Sequence, residues 1–89
     1  MIGLVSNEEK FSEILQELSE TYHKKNHDYG DSFRKTLQEF GTVAAVVRMC
    51  DKMERLKTLT KWDKEVTTET YRDTVMDLAN YAIMLAMEL

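Results

Sequence analysis

The chain has 89 residues, enough for one small domain and too few for two separate cores. Its net charge of −4 argues against nucleic acid as the main partner, which calls for a basic face. With 43% apolar and 31% charged residues the composition is globular, and no apolar run approaches the roughly 20 residues of a membrane span. The single cysteine, Cys50, excludes an intrachain disulfide, so a thin core must find support in a metal or a second chain. The start, MIGLVSNEEK, has no basic stretch followed by an apolar core. No export signal is expected, and a free thiol then points to the cytoplasm.

There is no proline and there are only three glycines, so long helices are expected throughout. Ser6 and Glu9 form a capping box. Behind it Phe11, Ile14, Leu15, Leu18 and Tyr22 lie on one helical stripe, which predicts a first helix from Asn7 to about Lys24. Glu13, Glu17 and Glu20 fall on the opposite face. They are either a solvated face, with Glu20 and Lys24 as an i,i+4 pair, or part of a cation site.

The segment KNHDYGDS, Lys25 to Ser32, is dense in turn formers. Asp31 or Ser32 then caps a short helix from Phe33 to Phe40. Gly41 bends or breaks the chain, and Thr42 caps a segment reaching about Thr60. Trp62 follows in a loop. Val66, Thr67 and Tyr71 fit a hydrophobic staple that starts a last helix from Thr68 to about Glu88, with Tyr71, Val75, Leu78, Ala82 and Leu85 as its core stripe. No period-2 alternation predicts a sheet. The expected fold is all-α: one domain over residues 1–89, an antiparallel bundle of three long helices, the middle one interrupted or bent at Gly41, completed by oligomerisation.

Polar residues interrupt two otherwise apolar stretches. Gly41 to Cys50 is apolar almost all round, as in a helix buried on most faces, and Glu54 extends the stripe of Val43, Val47 and Cys50. Asp51 lies beside it, and Arg48, Lys52 and Arg55 make a mixed-charge ridge. In the last helix Asp73, Asp77 and Asn80 fall within a narrow arc among Met76, Ile83 and Met84. If the two helices face each other, Asp51, Glu54, Asp73 and Asp77 converge, and a divalent cation would relieve their repulsion. Hard oxygen ligands suit Mg²⁺ or Mn²⁺. The alternative is that these acids form ion pairs with Arg48, Lys52, Arg55 and Arg72. Cys50 reads as a core residue, and His27 as a local hydrogen-bonding group or a phosphate contact.

Three blocks carry a resemblance: HDYGDSF (His27 to Phe33), RMCDKMERL (Arg48 to Leu56) and DTVMDLANYAIM (Asp73 to Met84). Together they resemble the small phage and bacterial nucleotide-modification-associated domain family, itself similar to the MazG-like all-α nucleoside triphosphate pyrophosphohydrolases. Those enzymes carry EExxE on one helix and ExxD on the next. Asp51 to Glu54, DKME, stands at the later part of the first motif, and Asp77 at the aspartate of the second. The sequence departs at Thr74, where ExxD has its glutamate, and at Cys50 and Asp51, where the paired glutamates belong.

The resemblance implies an oligomeric helical bundle that holds Mg²⁺ through Asp51, Glu54, Asp73 and Asp77. It implies hydrolysis of a nucleoside triphosphate to monophosphate and pyrophosphate, with Glu54 and Asp77 catalytic. Lys52, Arg48 and Arg55 would steady the phosphates, and Asn80, His27, Asp28 and Tyr29 would contact base or sugar. A non-catalytic helical assembly module and a nucleotide-binding accessory protein without turnover are the competing readings.

Overall fold

The computed structural model describes residues 6–26, 30–61 and 68–89. His27, Asp28, Tyr29, Trp62 and the Val66–Thr67 staple lie outside them. The described residues are all helical with no strand: α1 (Asn7–Lys25), α2 (Gly30–Phe40), α3 (Val43–Lys61) and α4 (Thr68–Met87). No helix among them is long and apolar enough to cross a membrane.

α1 starts where the capping box requires. The Glu9 N–H donates to Ser6 Oγ at 3.1 Å, and the Ser6 hydroxyl donates to the Glu9 carboxylate at 3.2 Å. α2 begins at Gly30 rather than Phe33, so Asp31 and Ser32 are inside its first turn instead of capping it. An acid there suits the positive end of the helix dipole.

Gly41 divides what would have been one long middle helix, making four helices rather than three among the described residues. It takes φ +81°, and its N–H donates back to Leu37 O at 2.7 Å, a left-handed helix stop. Thr42 O then accepts from the N–H groups of Ala45 and Val46, opening α3. The turn folds α2 back, so that Phe33 and Leu37 pack with Ala45 and Met84. The Phe33 ring meets Tyr81 with centroids 5.4 Å apart.

α3 and α4 run antiparallel. Ala45 shares the core with Met84, Lys52 meets Asp77, and Arg55 meets Thr74. Ala45 has no exposed surface, and its small side chain lets the two backbones approach. The buried apolar side chains among the described residues are few: Leu18, Phe33, Leu37, Ala45 and Met84.

The core stripe of α4 differs from the expected one. Tyr71, Val75 and Ala82 are exposed, whereas Thr74, Asn80 and Met84 are buried. α4 is apolar on nearly every face, so hydrophobicity alone does not orient it. Partners do. Thr74 Oγ1 donates to Thr70 O at 3.0 Å and accepts from Arg55 Nε at 3.3 Å. Asn80 Nδ2 donates to Leu18 O in α1 at 3.3 Å. Buried polar groups with such bonds are tolerated where unbonded ones are not.

α1 buries only part of its stripe. Leu18 is buried and Tyr22 half-buried, but Phe11, Ile14 and Leu15 stay exposed. The bonds of α1 to α4 come from its second half, the Glu17 carboxylate to Arg72 and the Leu18 carbonyl to Asn80.

A side chain built on Gly41 meets nothing within 4 Å, so its backbone alone sets the cost of substitution. Gly41→Ala is expected to destabilise the fold by about 1 kcal/mol, through the left-handed φ. Chemical denaturation checks this.

Candidate functional site

At about 100° per residue, Lys52 and Arg55 lie on the side of α3 that meets α4, while Glu54 turns toward the opposite side and Asp51 lies on the flank. Both acids are exposed. Glu54 Oε2 accepts from Lys57 Nζ at 2.9 Å in its own helix. That bond and the Lys57 charge hold the Glu54 carboxyl below its usual value and the Lys57 ammonium above its own. Arg48 is exposed as well.

The α3–α4 seam is thus lined by bases from α3 against Asp77 and Thr74 from α4. Lys52 Nζ lies 3.2 Å from Asp77 Oδ2, both side chains about one-third exposed. The four-carboxylate convergence of Asp51, Glu54, Asp73 and Asp77 does not form within one chain. No group of three or more His, Cys, Asp or Glu side chains able to hold a metal ion occurs among the described residues. The physical reason is rotational: the helix turn that points Lys52 at Asp77 points Glu54 away from it.

Asp77 and Asp73 instead line a groove of about 470 Å³ on the other side of α4, against α1. Its remaining charged walls are Glu17, Lys24, Lys25 and Arg72. Arg72 Nη1 lies 2.6 Å from Glu17 Oε2, joining the two helices and pushing the guanidinium further above its ordinary pKa. Asp73 is exposed and Asp77 half-buried, one helical turn apart on the same wall.

This donor set fits a hard divalent ion of the Mg²⁺ type. Such an ion binds through one or two carboxylates and completes its shell with water and phosphate oxygens, so it needs no cage of protein acids. Asp73 and Asp77 supply the carboxylates, and Lys24 and Arg72 supply charge of the sign a phosphate requires.

Sequence reasoning found Asp73 and Asp77 but did not choose the α1 wall. Glu17 was one of three acids on a polar face, and only the pairing of α1 with α4 separates it from Glu13 and Glu20. Glu20 accepts from Gln16 Nε2 at 3.4 Å along its own helix. Asn80, expected to touch a base or sugar, is 3% exposed and gives an amide hydrogen to α1.

Residues 25–89, 65 of the 89, match the family model described as nucleotide modification associated domain 1. The chain belongs to this family. Comparison with curated proteins and with solved structures finds no match to either. In this nucleotide modification associated domain, α2, α3 and α4 lie within the matched span, as do Arg72, Asp73 and Asp77; Glu17 and Lys24 precede it.

Two outcomes follow. Asn80→Ala should lower stability by about 1–3 kcal/mol, because it deletes a buried amide and its bond to α1; thermal and denaturant melts measure it. Lys57→Ala should let the Glu54 carboxyl rise toward its ordinary pKa, read by NMR titration. The sign follows from a depressed folded-state value: the favourable pairing is present above the unfolded pKa of Glu54. It is lost as pH falls through the lower folded one.

Proposed function

We propose that this domain is a Mg²⁺-dependent nucleoside triphosphate pyrophosphohydrolase, cleaving an NTP or dNTP to the monophosphate and pyrophosphate. One observation carries the reading: a single groove sets Asp73 and Asp77 beside Lys24 and Arg72, in a family described by its association with nucleotide modification. The resemblance of DLANY, which holds Asp77, to a MazG-like motif supports the same reaction. Mn²⁺ would serve in place of Mg²⁺.

Each residue has a role its position allows. Asp73 and Asp77 would hold the ion, which when bound supplies neutralisation of phosphate charge and a more acidic water. Lys24 and Arg72 bind phosphate oxygens, and Glu17 fixes the Arg72 guanidinium by its ion pair. Lys52 is a positioning residue that approaches Asp77 from the α3 side. Glu54 and Asp51, facing outward, take no part in a site within one chain. The same reading puts the protein in the cytoplasm, in phage-associated nucleotide metabolism.

A second reading, a nucleotide-binding accessory without turnover, is favoured by one observation: Lys52 already partners the carboxylate of Asp77.

Purified protein incubated with ribo- and deoxyribonucleoside triphosphates plus Mg²⁺ or Mn²⁺ should release pyrophosphate from at least one of them. Asp77→Asn and Asp73→Asn should each lower the rate by about 100-fold or more, the scale set by losing one charge-stabilising group. Helical circular dichroism should stay unchanged. Calorimetric binding of a nucleotide without turnover would install the accessory reading. Neither binding nor release would overturn both.

A further inference from the structure

Among the described residues, three acids and three bases wall the α1–α4 groove: Glu17, Asp73 and Asp77 against Lys24, Lys25 and Arg72. A fourth base stands behind it. Lys52 reaches Asp77 Oδ2 at 3.2 Å from the α3 side. The groove therefore carries an excess of positive charge, in a chain whose net charge is −4. With Lys25 set aside, the opposing charges still cancel. Arg55 Nε, 3.3 Å from Thr74 Oγ1, adds another cation to the α3–α4 seam.

The acids are also matched one by one. Glu17 Oε2 lies 2.6 Å from Arg72 Nη1, and Asp77 has Lys52. Asp73 acts on the same guanidinium, which Glu17 first and Asp73 after it hold above its ordinary pKa. Carboxylates left to repel one another attract a divalent cation strongly. Carboxylates already faced by ammonium and guanidinium groups do not, because the ion must enter beside like charge. A phosphate chain meets the opposite field. A triphosphate stays negative after taking up one divalent ion, and the exposed Lys24 and Arg72 carry the sign it requires.

We propose that the groove admits the divalent ion as a metal–nucleotide complex and not as the bare ion, with the Lys52 ammonium as the counter-charge that sets this order. The proposal rests on the nucleotide reading of the groove. Phosphate oxygens neutralise Lys24 and Arg72 as the complex enters, and the balance around Asp73 and Asp77 then turns in favour of the ion. Lys52 is a positioning residue in this scheme: it acts through Asp77 and stays on the α3 side.

Equilibrium dialysis of the full chain tests it with no turnover. The probes are Mn²⁺ alone, and Mn²⁺ with a panel of nucleoside triphosphates whose α,β-bridging oxygen is replaced by a methylene. The wild type should retain Mn²⁺ with at least one analogue at a concentration about tenfold or more below that needed for Mn²⁺ alone. Lys52→Met should tighten retention of Mn²⁺ alone by about tenfold and so narrow the gap, and Lys52→Arg should keep the gap. A wild type that retains Mn²⁺ alone as tightly as with every analogue overturns the inference. So does a Lys52→Met variant that holds Mn²⁺ alone no better than the wild type. Retention of no analogue, with or without Mn²⁺, overturns this inference and the nucleotide reading together. The expected gap in an enzyme that releases no pyrophosphate from the parent nucleotides removes only the hydrolase reading and supports this one. If Lys52→Met unfolds, Lys52→Gln and the wild-type comparison decide.

Discussion

The rotation of α3 that buries Ala45 against Met84 also brings Lys52 to Asp77, and much else follows from that rotation. Once Lys52 points across the seam, Arg55 falls within reach of Thr74, Ala45 is fully buried, and Glu54 is carried to the outside. A partly buried ammonium facing a carboxylate is tolerable where two facing carboxylates are not. The seam is therefore a basic helix laid on an acidic one. Asp77 is approached from behind by Lys52 and looks forward into the α1 groove.

The groove inherits its two walls from different sources. The α4 wall, with Arg72, Asp73 and Asp77, lies inside the segment that marks the family; most of the α1 wall does not. A nucleotide's charged end fits such an arrangement because carboxylates and cations alternate around one opening. The Glu17–Arg72 pair ties the walls together at the charged end.

Much of the fold was legible from residue types. The Ser6 cap, the glycine stop at position 41 and the all-helical character rest on local rules, in which a side chain acts on its own backbone. The four-helix count became definite only with the φ of Gly41. What was not legible is rotation. In α4 and the first half of α3 the apolar residues run all round, so no stripe says which side is inward. The buried face of α4 is chosen by Thr74 and Asn80, residues that look misplaced until Arg55 and Leu18 O stand beside them. The same ambiguity hid the site. Asp73 and Asp77 stood out as acids in an apolar helix, but Glu17 became distinctive only when α1 was laid against α4.

The amide of Asn80 has a consequence for alignment. It is the strongly polar group in the apolar second half of α4, and its acceptor is one particular carbonyl in the middle of α1. Sliding α1 by a single turn, about 5.4 Å, would strand that amide against hydrocarbon. The bond thus works as a vernier between two otherwise slippery rods, keeping Glu17 within reach of the Arg72 guanidinium.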